Sequence, residues 1–343
     1  MQGVRDMTRS HSAPLWVLTT YYNPAGYERR RLNFKAFRRL LQQPLLVVEL
    51  ARDGRRELSD DDGEIVIHLT GEDRLWQKER LLNLGLAALP RNVEFAAWVD
   101  CDLIFADDQW AAKAVKRLAK NGGMLQLFDR SHHLPRAADP RNLSPAACND
   151  VTPLFSGVAV ASALRAATFN ENELRLAQAR TAADIASRHR IIDGHNCYGM
   201  AWAAPRTTIE ACGQYDRNVV GGGDSVHVLA AMNRLDDHWA LRAHSAKQVI
   251  DAAAWAEAAK RSGLFASLDS LDGDVHHMWH GDVANRNYRG RYEILARHDY
   301  DPQRDLALAS NGTWRWSDPN SALAREVGAY FWSRREDGAP QGG

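Results

Sequence analysis

The chain is short of cysteine, of long apolar runs and of any excess of one charge. Its four cysteines, Cys101, Cys148, Cys197 and Cys212, are scattered through 343 residues with no C-x-x-C pair. That excludes a thiolate zinc site or a disulfide framework as the organising device, and reduced thiols in a cytoplasmic protein are expected. Basic and acidic residues number 43 each, so the net charge is zero. This argues against a surface built to hold nucleic acid or an anionic membrane. No run approaches the roughly 18 apolar residues of a membrane span. The opening MQGVRDMTRSHSAP has no apolar core, so no signal peptide is expected, and residues 1–13 read as a flexible start. Internal repeats and low-complexity tracts are also missing.

What remains is ordinary globular material, 45% apolar and 25% charged, long enough for one large α/β domain with additions. The eleven tryptophans are many. Most suit a core, though some could form platforms for a ring-shaped ligand. Short continuously apolar strands are expected at 15–20, 44–50, 64–69, 93–99 and 122–128. Helices fall at 26–42, 74–90 and 109–120, the second closed by Pro90. Residues 52–64 and 129–150 read as polar loops. Residues 154–162 read as a further strand, followed by a helix to about 190. Such alternation predicts an α/β fold with a mainly parallel central sheet flanked by helices, and ligands at the carboxyl ends of its strands.

Four stretches carry chemistry. In AAWVDCDLIFADD an apolar strand ends in Asp100 and Asp102, which share a direction across Cys101. Paired carboxylates repel unless a cation joins them, so the pair suits a divalent ion bridging to a diphosphate. A strand-ending turn with solvated acids explains the same residues equally well. In VHHMWHGD, His276, His277 and His280 fall within five residues, and imidazole suits manganese or zinc better than magnesium. Packed histidines are the plainer account of any one of them. In YDRNVVGGGDSVHV three glycines lead to Asp224, read either as a helix cap or as a carboxylate presented to a ligand. Arg286, Arg289 and Arg291 follow the histidines, either as forks for phosphate or as a solvated face. Neither G-x-G-x-x-G after a strand nor a P-loop is present.

Together these stretches resemble metal-dependent glycosyltransferases of the GT-A fold, with the β-1,4-galactosyltransferase-like group and its bacterial relatives the nearest pattern. KERLLNLG (78–85), DCDLIF (100–105), GGGD (221–224) and HMWH (277–280) fall in that family's order across residues 15–295. The resemblance implies a domain over 14–318, with a nucleotide-binding half to 130, an acceptor and metal half from 131, and a tail from 319 to 343. It implies Asp102, His280 and His277 as metal ligands, for manganese first and magnesium as the alternative. Asp100, Arg80 and Asn83 would line the nucleotide, with Thr19, Tyr21, Asn23 and Glu49 at the base and ribose and Arg286 and Arg291 at the phosphates. Asp224 would be the general base. Gly222 and Gly223, with Trp202 in place of the family's absent loop tryptophan, would face the acceptor. The family's E-D-D run is here a single acid, Asp224, followed by Ser225.

The leading expectation is therefore transfer of a sugar from a nucleotide-sugar donor, a UDP-sugar, to a carbohydrate or glycoconjugate hydroxyl with inversion. The alternatives are a sugar-phosphate nucleotidyltransferase and a non-catalytic carbohydrate-binding protein on the same fold.

Overall fold

Leu15–Tyr22 forms strand β1 because apolar side chains point both ways from it. Trp16 and Leu18 enter one core, Leu15 and Val17 the other, the period-two division of an extended chain. The computed structural model describes residues 13–166, 196–236, 244–287 and 290–338.

Strands β2 (Leu45–Arg52), β3 (Ile65–Gly71) and β4 (Phe95–Val99) join β1, followed along the chain by β5 (Leu103–Phe105), β6 (Met124–Gln126), β7 (Arg130–His133), β8 (Phe155–Ala159), β9 (Asn196–Cys197), β10 (Ala201–Pro205), β11 (Leu268–Ser270) and β12 (Asp274–His277). The central sheet has the order β11-β6-β10-β4-β1-β2-β3. Six strands run one way, and β10 runs against both its neighbours. Helix Lys78–Ala87 covers one face with Leu81, Leu82 and Leu86, while helices Glu28–Leu40 and Trp110–Asn121 cover the other. This is the mixed α/β architecture expected. No described helix is long and apolar enough to cross a membrane.

A second sheet, β5-β12-β7-β8-β9, stands beside the first. Only Asp100, Cys101 and Asp102 separate β4 of the central sheet from β5 of the second. Antiparallel pairing of β12 with β5 sets His277 against Leu103, and Met278 N donates to Asp102 O at 2.9 Å. The histidine stretch is thereby laid against the acid pair.

Several boundaries differ from the expectation. The helix expected over 74–90 begins at Lys78, because Trp76 N bonds Val219 O and Gln77 Oε1 accepts from Trp314 N. The loop expected over 129–150 contains β7, a strand without apolar alternation because His133 faces His277. The strand at 154–162 stops at Ala159 and turns into helix Val160–Ala166; the helix expected to run on to about 190 lies largely outside the described residues. The segment read as a tail forms helix Ala322–Ser333, capped by Ser321 and buried through Leu323, Val327, Tyr330 and Phe331.

Candidate functional site

At the junction of the two sheets lies a cavity of about 740 Å³. Asp100 and Asp102 enter it from the turn after β4, His277 and His280 from β12 and the loop beyond, and Asp224 from the start of helix Gly223–Ala231.

Asp102, His277 and His280 offer ligand atoms that all lie within 4.8 Å of one another. His280 Nε2 stands 3.1 Å from Asp102 Oδ2 and 3.2 Å from His277 Nε2, and His277 Nε2 stands 3.7 Å from Asp102 Oδ1. An Arg286 Nη2 N–H donates to His280 Nε2 at 2.8 Å, which assigns that nitrogen a lone pair and places its proton on Nδ1. A carboxylate oxygen then faces an imidazole lone pair with no proton between them. A cation at that point, or a proton on Asp102, relieves the contact. Asp102 Oδ1 is buried with no hydrogen-bond partner among the described residues.

The electrostatics agree. Burial and the neighbouring Asp100 carboxylate push the Asp102 carboxyl up to about 7, against the pull of Arg286 and Arg30. Burial and Arg286 drive His280 down to about 3, and burial with His133, His280 and Arg286 holds His277 well below its usual value. Both imidazoles are neutral near pH 7, the form that ligates. One carboxylate and two imidazoles fit a divalent ion of the manganese or zinc kind.

The second cluster centres on Lys78. Its Nζ lies 2.6 Å from Asp100 Oδ1 and 3.2 Å from Asp224 Oδ2. Burial alone would lower the ammonium, but Asp100 and Asp224 hold it well above its usual value. Asp224 is the second residue of its helix rather than the cap. The cap position is Gly222, left-handed at φ 95°, and a Cβ there would lie 1.7 Å from the Tyr292 hydroxyl. Gly199 makes room on the other side, since its Cβ would come within 2.7 Å of Asp224 Oδ2.

Of the residues singled out in the sequence, the cavity gathers Asp100, Asp102, His277, His280, Gly222, Asp224, Arg286 and Arg291. Arg291 donates to the hydroxyls of Tyr330 and Tyr292 at 3.3 and 3.2 Å. Arg289 lies outside the described residues.

Nine others do not line it, among them His276, whose ring packs 5.4 Å from that of His132. Thr19 Oγ1 donates to Val99 O inside the sheet at 2.6 Å. Tyr21 and Asn23 bond Glu57, and Asn23 also caps the turn at Tyr27. Glu49 accepts from Glu57 N and Leu58 N and pairs with His68 at 2.6 Å. Arg80 is committed to Gly312 O and Asp216, and Asn83 to Gln214. Trp202 is core, 1% exposed, with its indole N–H on Tyr198 O. Gly223 yields space to a neighbour, its Cβ meeting Glu79 Oε1 at 2.3 Å. Thr19, Tyr21, Asn23, Glu49, Arg80, Asn83 and Trp202 each have a protein partner where a ligand was expected.

Sequence reasoning missed Lys78, Glu79, Arg30 and Glu336. The first two stood in plain view at the head of KERLLNLG. Burial pushes Glu79 up to about 8 even against the Lys78 charge.

No protein-family model and no curated protein sequence matches the chain. Among solved structures, it is similar to glucosyl-3-phosphoglycerate synthase from Mycobacterium tuberculosis, in a complex with Mn2+, UDP and phosphoglyceric acid. That alignment has 12% identity and a TM-score of 0.38, covering 91% of this chain and 89% of that one. It is also similar to 4-diphosphocytidyl-2C-methyl-D-erythritol synthase from Anaerococcus prevotii, at 12% identity and a TM-score of 0.30, covering 78% and 89%. Neither is a galactosyltransferase. What the cavity can do is decided by its own residues.

Proposed function

We propose that the chain is a metal-dependent glycosyltransferase of the GT-A kind, moving a sugar from a nucleotide-sugar donor to an acceptor hydroxyl. The observation that carries this reading is one cavity holding a cation-competent Asp102–His277–His280 set and a separate carboxylate, Asp224. A divalent ion held by those three side chains would supply Lewis-acid neutralisation of a leaving diphosphate.

The chain's own groups do the rest. Arg286, already turned toward the same point, places a fixed positive charge where the departing phosphate gathers negative charge. Lys78 grips Asp224 through Oδ2 and Asp100 through Oδ1, so the two acids keep a fixed relation. The Asp224 carboxylate takes the proton of the acceptor hydroxyl as that oxygen attacks the anomeric carbon. One base and one displacement from the face opposite the leaving group give inversion.

Incubation with UDP-sugars and Mn2+ tests the reading, with UDP release in the absence of acceptor as the expected slow side reaction. Asp224→Asn should lower turnover by about 10²–10⁴-fold while leaving UDP and Mn2+ binding in place. Pyrophosphate released from a nucleoside triphosphate and a sugar phosphate, with no UDP from any sugar nucleotide, would instead make the chain a nucleotidyltransferase.

A further inference from the structure

The chain beyond its last helix doubles back over the site. Tyr27 OH donates to Phe331 O and Trp332 O, both at 3.1 Å, closing that helix's final turn. Asp337 then caps the Glu28–Leu40 helix, its carboxylate accepting from Glu28 N at 3.1 Å and Arg29 N at 2.8 Å. Gly281, directly after His280, has φ +94°, and a Cβ on it would lie 2.9 Å from Arg334 O and 3.1 Å from Glu336 Cα. Residues 334–338 thus lie as a strap on bare backbone, and no larger residue at 281 would admit them.

What this path delivers is Glu336. It lines the cavity yet is only 1% exposed. Arg30 grips its carboxylate through two bonds of 2.9 and 2.7 Å, and Arg334 Nε adds a third at 2.7 Å. The Oε1 so fixed stands 3.8 Å from His280 Nδ1, a buried nitrogen with no hydrogen-bond partner among the described residues. The opposite ring nitrogen, Nε2, is the one that faces Asp102 and His277.

We propose that Glu336 is a positioning residue for metal binding, acting through His280. Its carboxylate accepts a hydrogen bond from the Nδ1 N–H, which keeps the lone pair on Nε2, where the ion would take the place of the Arg286 N–H, and fixes the ring. Closing the present gap by about 1 Å makes an ordinary N–H···O bond. A carboxylate behind a ligating imidazole sets its tautomer and orientation, and losing one costs about 10–100-fold in metal affinity. Two arginines on Glu336 explain why it holds its place instead of turning toward solvent. The inference rests on the metal reading of Asp102, His277 and His280. It also gives the C-terminal strap a task at the centre of the molecule.

The test is Mn2+ binding to the full chain without nucleotide, followed by the spin-resonance signal of the free ion. Wild type, Glu336→Gln, Glu336→Asp and Asp102→Asn are compared below each variant's metal-free melting temperature. Glu336→Gln should bind Mn2+ about 10–100-fold more weakly, and Glu336→Asp should recover part of the loss. The visible absorption of bound Co2+ should also differ between Glu336→Gln and wild type, a change that mere loss of packing would not produce. Should Glu336→Gln fail to fold, Glu336→Asp carries the test with an intermediate affinity expected. Mn2+ affinity within twofold of wild type in the variant used overturns the proposal and leaves the metal reading intact. Wild type binding no better than Asp102→Asn overturns the metal reading, and the proposal with it.

Discussion

Lys78 is the side chain that lets acids crowd this cavity. Its ammonium serves Asp100 and Asp224 together, while Asp102 stays protonated up to about 7 and Glu79 up to about 8. Both of the latter lie above an unfolded carboxyl's value of about 4, so the folded state binds those protons more tightly. Their contribution to stability is full below the unfolded value and is lost as pH rises through the folded one. The buried histidines act in the opposite sense, but only below about 6.5, where unfolded imidazoles charge. The melting temperature of the metal-free protein should therefore fall between pH of about 6.5 and 8.5. Mn2+ must displace the Asp102 proton, so its affinity should drop as pH is lowered through about 7. Calorimetry with and without Mn2+ checks both, and a metal-free transition that rises over this range would contradict them. Gly199 offers a more local test. In Gly199→Ala the new Cβ lies 2.7 Å from Asp224 Oδ2, and the side chain can move where backbone could not. Turnover should fall on the order of 10²-fold, with a melting temperature close to wild type.

Helix Lys78–Ala87 carries the cavity-lining Lys78 and the buried Glu79 at one end and the packing at the other. Gly85 lies so near the central sheet that a Cβ would stand 3.0 Å from both Leu46 Cδ2 and Val48 Cγ2. Gly85→Val should wedge the helix outward at a cost of about 1–3 kcal/mol, read as a lower urea midpoint. Loss of activity should accompany it, because Lys78 rides on the same helix. This element was legible in the sequence, since its apolar stripe faces a core. Strand β7 was not. Its RSHH sequence has no apolar alternation because its neighbours are other histidines and the cavity, so the usual strand signal is missing there. The turn between β4 and β5 posed a choice between solvated acids at a strand end and acids turned to a ligand cavity: Asp100 and Asp102 leave a strand and line the cavity within three residues.

At the scale of the molecule, the site is assembled from segments far apart in the chain. Pairing of β5 with β12 brings His277 and His280 to Asp102, and Lys78 reaches Asp224 across 146 residues. Residue type singled out Asp102, His277, His280 and Asp224 in advance, and the fold brings all four into one cavity. It misjudged Arg80, Asn83 and Glu49, whose polar groups are consumed by partners such as Asp216, Gln214 and His68. Those partners come from tertiary contacts that no local pattern announces. The central claim is that Asp102, His277 and His280 close on one divalent ion beside a nucleotide diphosphate. Titration calorimetry with UDP, in the presence and absence of Mn2+, tests it most directly. Wild type should bind UDP much more tightly with Mn2+ than without, and Asp102→Asn should bind it weakly and equally in both conditions. Equal UDP affinity with and without Mn2+ in the wild-type chain would contradict the account.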